Sequence, residues 1–211
     1  MEAKQKILGI AEDMFAEKGI NNSHLQDIAS RAGISKKTIY KHFENKNDLV
    51  VGVLSGLAFR LNTAINEIKD SNLNTPYKLA HLIFIVKNNV KIVTPVFVND
   101  IMATMYDQAK NLVDNYVRFS VFERFKSLLE EGVEEGTVMP NMSVEAVVVL
   151  YKDAIMNFLT LSVEQNVPEG FLEVPPVQNF VRSLIPIFRG VLSQKGTEYF
   201  KEALIELNLA E

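Results

Sequence analysis

Apolar residues recur with a helical period along the whole chain, and no segment shows a sustained two-residue alternation. Asn-Gly and Asp-Gly, the strongest short hairpin signals, are absent. A chain built this way folds by packing helix against helix, so the expected class is all-α. With 211 residues it is long enough to bury a sizeable core without staples. It has no cysteine, so disulfides, thiolate zinc sites, iron–sulfur clusters and cysteine nucleophiles are excluded. The opening Met1-Glu2-Ala3-Lys4 runs into an amphipathic, charged segment rather than a secretory signal. The most apolar window, Ala146 to Val163, carries Lys152 and Asp153, so no membrane span is expected and the cytoplasm is the expected compartment.

The helical pattern falls into about ten segments. A first helix covers about Ala3 to Lys18, with Ile7, Leu8, Ala11, Met14 and Phe15 as its apolar stripe and Gly19 as the residue that ends it. Ser23-His24-Leu25-Gln26 reads as a capping box opening a second helix that ends near Ala32. Ser35 caps a third, Lys36 to about His42, and Asn45 caps a fourth that runs to about Ile68. Thr75-Pro76 and Thr94-Pro95 read as caps followed by proline, starting helices at 76–92 and 95–107. Further helices are expected at 109–135, 143–165, 176–194 and 197–207, with Pro186 as a kink in the penultimate one.

The formal net charge of −4 does not suggest a nucleic-acid partner, but it hides an asymmetry. Residues 1–50 carry a net of +1 and the remainder a net of −5. Between Arg31 and Lys46 there are five basic residues and one acid, Glu44. Most short charge runs are merely solvated helix faces, so their position decides. Here they follow Ala32-Gly33-Ile34-Ser35, a turn between two short helices. A helix-turn-helix needs a small residue ahead of the turn, glycine for positive φ and an apolar plug after it, and Ala29, Gly33 and Ile34 fill those roles. Ile28, Ile39 and Phe43 complete a small core. The other face of the third helix then presents Lys36, Lys37, Thr38, Tyr40, Lys41 and His42, donors suited to phosphates and base edges in a major groove. An ordinary helical hairpin with a basic surface is the competing reading.

The run from Leu25 to Leu49, with Ile28-Ala29, Ala32-Gly33-Ile34-Ser35, Ile39-Tyr40-Lys41-His42-Phe43 and Lys46, closely resembles the DNA-binding domain of the tetracycline-repressor (TetR) family. The resemblance covers about 45 residues; beyond them it rests on length and helix count. It implies a three-helix DNA-binding domain over 1–48 and a helical ligand-binding and dimerisation domain over 49–211. It also implies a regulator, expected to be a repressor, that binds a palindromic operator in double-stranded DNA as a homodimer and is released by a small lipophilic effector. The residues implied to face DNA are Ser23, Gln26, Ser35, Lys36, Lys37, Thr38, Tyr40, Lys41, His42 and Lys46. Gln26 stands where the family often has arginine and Lys37 where it often has glycine, while Lys46 corresponds to a phosphate-binding lysine.

Helix 143–165 is apolar nearly all round, and 176–194 carries Val177, Val181, Leu184, Phe188 and Val191 at bundle-seam spacing. Either could be an intramolecular core. The resemblance implies instead a two-fold, four-helix interface through Tyr151, Ile155, Val177, Val181, Leu184, Phe188 and Val191. Aromatic and methionine residues between 77 and 158 are usually core. The resemblance makes His81, Phe84, Met102, Met105, Tyr106, Tyr116, Phe119, Tyr151 and Phe158 the expected effector pocket, with few charges and hence an uncharged or weakly charged occupant.

Enzymatic readings find no footing. His24, His42 and His81 are far apart, no His-Glu-x-x-His spacing occurs, and no phosphate loop or nucleophile elbow is present. The Glu130-Glu131 and Glu134-Glu135 pairs read as solvated surface. Neither a cofactor nor a metal is expected. An all-helical dimeric interaction protein without sequence-specific DNA binding is the alternative function.

Overall fold

The computed structural model describes residues 2–102, 107–116, 122–161 and 176–209. They form α1 (Glu2–Lys18), α2 (Leu25–Ala32), α3 (Lys36–Tyr40), α4 (Lys46–Lys69), α5 (Thr75–Asn89) and α6 (Pro95–Met102). The later helices are α7 (Asp107–Asn115), α8 (Phe122–Glu134), α9 (Val144–Leu161), α10 (Pro176–Arg189) and α11 (Gln194–Glu206). Among the described residues the one extended pairing is a single antiparallel bridge, Val138 with Leu192. The all-α expectation holds.

Local chemistry accounts for most helix ends. Ser35 accepts the Thr38 N–H at 3.1 Å and Asn45 accepts the Asp48 N–H at 2.9 Å, so both caps form where the sequence places them. Thr94 accepts the Phe97 N–H at 3.3 Å ahead of Pro95. Gly33, at φ +67, lets the Ile34 N–H return to Ala29 O and the Gly33 N–H to Ser30 O, closing α2.

Several ends differ from the sequence pattern. The cap of α5 is Asn74, which accepts the Tyr77 N–H, and Thr75 becomes its first helical residue. Of the expected helix 109–135, the described residues form α7 and α8, and residues 117–121 lie outside the described residues. Ser23 does not cap α2: its buried hydroxyl donates to Gly19 O at 2.6 Å and lies 3.2 Å from Met14 O. These carbonyls, in the last turns of α1 and just beyond it, outcompete the α2 N-terminus, and His24 takes the cap position without a side-chain bond.

Two hydrophobic clusters organise the chain. The first joins α1 (Ile7, Ala11, Phe15), α2 (Ile28), α3 (Ile39) and the buried face of α4 (Leu49, Val50, Val53, Leu57, Leu61) with Ile85, Ile92, Phe97, Ile101 and Ala109. The second gathers Leu79 and Ile83 of α5, Phe125 and Leu129 of α8, Val148 of α9, Val181, Leu184 and Phe188 of α10, and Phe200 and Leu204 of α11. Full burial of such side chains stabilises by roughly 1.5–3 kcal/mol each. Among the described residues, α4 is the one helix long and apolar enough to cross a membrane, by length and composition. Here its apolar face packs against α1, α5 and α7.

Charge also enters the interior. Glu12, buried on α1, receives two short contacts from Arg60 of α4, at 2.8 and 2.9 Å. Lys78, buried on α5, donates to Glu131 at 2.6 Å. Glu135 accepts the Thr75 N–H at 2.9 Å and the Thr137 hydroxyl at 3.1 Å. Two members of the acidic run expected to be solvated surface therefore hold the α8 end against the start of α5.

Candidate nucleic-acid interface and regulatory site

The turn at Gly33 sets α2 against α3, with Ile28, Ala29 and Ile39 buried beneath them. Because those positions face inward, the opposite side of α3 faces water. Gln26, Ser35, Lys36, Lys37, Tyr40, Lys41 and His42 are all exposed, and Thr38 is half-buried. None of Lys36, Lys37, Lys41 and His42 forms a salt bridge among the described residues, whereas Arg31, exposed on α2, is held by Glu17 through contacts of 3.0 and 3.1 Å. The Glu17 carboxyl sits below its ordinary value because Arg31 donates to it. The Lys36 ammonium lies 5.7 Å from the centre of the Tyr40 ring. The result is a cationic, donor-rich ridge one short helix long, the shape and chemistry that enter a major groove.

Two residues of the expected DNA set sit differently. Ser23 is fully buried on the carbonyls of Met14 and Gly19 and presents nothing to a phosphate. Lys46 is half-buried, and its Nζ donates to Asn21 O at 3.2 Å. Burial pulls its pKa down, and the carboxylate of Asp100 opposes that.

Four residues of the expected dimer seam are covered within the chain. Val181, Leu184, Phe188 and Val191 are buried inside the chain itself. The Tyr151 ring lies 4.3 Å from Phe125 and 5.6 Å from Phe188, centre to centre, in the same core. Burial raises the Tyr151 hydroxyl well above its ordinary value. These side chains already have their partners, because α5, α8 and α11 cover them. What α9 and α10 leave uncovered is another face, with Leu150 69% exposed, Val149 41% and Ile187 38%. Ile155 and Val177 lie in α9 and α10, and their side chains are outside the described residues.

Only four side chains of the expected pocket, His81, Phe84, Tyr116 and Tyr151, lie among the described residues. Phe84 is 40% exposed, and His81, half-buried on α5, has Glu206 of α11 nearby; burial lowers the imidazole and Glu206 works against it. Met105, Tyr106 and Phe119 lie outside the described residues, as do the side chains of Met102 and Phe158. Tyr116 packs against the first cluster, and its buried hydroxyl has no hydrogen-bond partner among the described residues. Burial raises its pKa, and Arg124 beside it acts in the opposite direction. Arg124 in turn donates to Asn62 of α4 at 2.6 Å. Sequence reading missed Arg124 and Asn62, whose pairing spans 62 residues; the one hint was a cation between Phe122 and Phe125.

Residues 7–53 match the family model described as bacterial regulatory proteins, tetR family. The HTH-type transcriptional repressor KstR2 of Rhodococcus jostii (strain RHA1) is 29% identical over 150 residues, covering 67% of this chain and 71% of that one. The structure of the ketosteroid transcriptional regulator KstR2 of Mycobacterium tuberculosis superposes with a TM-score of 0.57 at 23% identity, over 90% of this chain and 95% of that one. The transcriptional regulator FadR of Bacillus subtilis, solved in complex with stearoyl-CoA, superposes with a TM-score of 0.60 at 20% identity, over 89% and 97%. The two superpositions establish a shared fold. Together with the exposed ridge of α3 and the match of residues 7–53, from α1 into the start of α4, to the tetR family model, they support one reading: the chain is a DNA-binding transcriptional regulator similar to the tetR family of bacterial regulatory proteins.

Proposed function

We propose that this regulator is a homodimeric repressor that binds an inverted repeat in double-stranded DNA and is released by a small lipophilic effector. The observation that carries the reading is a pair of uncovered surfaces: the cationic ridge of α3, and the apolar face of α9 and α10 around Val149, Leu150 and Ile187. One short helix reads few bases. Pairing two copies through α9 and α10 doubles the contacts and sets half-sites about 34–36 Å apart or slightly more. Gln26, Ser35, Lys36, Lys37, Thr38, Tyr40, Lys41 and His42 would contact DNA, with Lys46 at the phosphate backbone. The R. jostii relative is named a repressor, which supports that sign of regulation.

The effector reading draws on Tyr116, Arg124 and Asn62. They place a buried phenol, a guanidinium and an amide at the join of α4, α7 and α8. An apolar molecule bearing a carbonyl or acid group suits them, in keeping with the uncharged or weakly charged occupant expected from sequence. The stearoyl-CoA of the FadR complex has such a carbonyl on a long apolar chain. The regulator would act in the cytoplasm.

The test combines selection of bound DNA from a random library with sedimentation and a salt titration. The expected results are a two-fold-symmetric consensus, a dimer, and affinity that falls steeply with salt. A monomer at micromolar concentration, or binding indifferent to sequence, overturns the proposal.

A further inference from the structure

The turn between α1 and α2 is gripped by a residue that lies 79 positions away in sequence. The Asn21 N–H donates to Asp100 Oδ2 at 2.9 Å, and the Asn21 side-chain amide donates to Asp100 Oδ1 at 2.6 Å. Both carboxylate oxygens of Asp100, on α6, are thus committed to a single residue of the DNA-binding end. The approach is close. Gly19, at φ +81, leaves room where a Cβ would lie 2.6 Å from Asp100 Oδ2 and 2.7 Å from Val96 Cγ1. Nearby, Thr94 donates to Ala16 O at 3.3 Å and Lys91 pairs with Asp13 at 2.6 Å. The backbone carbonyl of the gripped residue is the one that receives Lys46 Nζ at 3.2 Å.

We propose that Asp100 is a positioning residue for DNA binding: by fixing Asn21, it fixes the carbonyl that aims the Lys46 ammonium. The chain of contacts runs from the α6 carboxylate through both hydrogen-bonding arms of Asn21 to its carbonyl, and from there to Lys46 at the first position of α4. A lysine is a flexible point charge, and holding it in place removes the rotamer entropy that a phosphate contact would otherwise cost. Asp100 itself carries negative charge and has no reason to touch DNA, so its influence is expected to pass through Lys46. A residue of the regulatory helices would then set the strength of an operator contact. The proposal rests on reading Lys46 as a phosphate contact.

The experiment is a double-mutant cycle on the full-length dimer, using the selected operator duplex and a titration of potassium chloride. Lys46→Ala and Asp100→Ala are each expected to lower affinity ~10-fold. Each should also flatten the log–log salt slope by about 0.9, the signature of one lost phosphate contact. The double variant should be no weaker than either single one, because both remove the same contact. Asp100→Asn keeps an acceptor for Asn21 and should recover most of the affinity. Thermal melting checks that each variant is folded, and Asp100→Ser supplies the same cycle if Asp100→Ala is not. Losses that multiply to ~100-fold in the double variant, or an Asp100→Ala protein with an unchanged salt slope, overturn the proposal. An unaffected Lys46→Ala overturns instead the phosphate reading on which it rests.

Discussion

The rings of Phe188 on α10 and Tyr151 on α9 sit 5.6 Å apart, inside a core that a single chain completes by itself. Residues spaced like a dimer seam therefore pack within one chain, and the proposed pairing of two copies falls to the exposed side chains of the same two helices, Val149, Leu150 and Ile187. Leu150→Asp and Ile187→Asp should abolish dimerisation and operator binding with helicity retained, read by sedimentation and circular dichroism. Phe188→Ala should instead destabilise the fold by about 3–5 kcal/mol in denaturant titration. A Leu150→Asp protein that still sediments as a dimer would move the interface elsewhere.

The α3 ridge should separate into two kinds of contact. Lys41→Ala, His42→Ala and Tyr40→Phe should weaken binding to all sequences alike, because phosphate contacts position without specifying. Lys37→Ala and Gln26→Ala should change the preferred sequence, with about 1–3 kcal/mol of discrimination lost at a base position. Library selection with each variant measures this. An unaltered consensus for Lys37→Ala would remove its base-reading role.

The pair formed by Lys78 and Glu131 predicts an asymmetry in stability. Lys78 is nearly inaccessible while Glu131 is partly open to water. Glu131→Gln strands a buried ammonium and should cost about 3–5 kcal/mol, whereas Lys78→Met replaces the cation with an apolar chain of similar length and should cost much less. Urea unfolding of the two variants gives the comparison, and equal losses would mean that the buried charge is not the dominant cost.

What could be read from the sequence was local. Gly33, Ser35 and Asn45 act within a few residues of themselves, so their roles in turn and caps followed from pattern. Ser23 followed the same local rule and misled, because Gly19 O and Met14 O compete for its hydroxyl and a capping pattern does not register them. For Leu184 and Phe188, periodicity identified an apolar stripe without indicating whether α5, α8 and α11 or a second chain would cover it. Asp100 left no trace and Arg124 only that of a cation between Phe122 and Phe125, since their partners Asn21 and Asn62 lie tens of residues away.

Tyr116 gives a prediction with two readouts of opposite sense. Tyr116→Phe removes a buried hydroxyl that no well-formed hydrogen bond reaches among the described residues, although Arg124 lies beside it. It should raise stability by about 1 kcal/mol, seen as a higher melting temperature. The same variant should lose the thermal stabilisation expected of the parent with a medium-chain fatty acid such as dodecanoate. If the melting temperature instead falls, the hydroxyl has a partner that contributes to the fold.

The two hydrophobic clusters divide the molecule differently from its sequence boundary near residue 48. Helices α1 to α4, α6 and α7 share one interior with Ile85 near the end of α5, and the rest of α5 with α8 to α11 share another. Cooperative unfolding follows shared interiors. The weakest plane of the protein is therefore expected to run through the regulatory half, beside Tyr116 and Arg124, with no break between the DNA-binding helices and α6. Hydrogen exchange should show amides of α1 and α6 opening together while those of α11 open with α5. Anything lodged along that plane would change how two blocks of the chain melt relative to each other, and so would reach α3 without passing through a hinge at the start of α4.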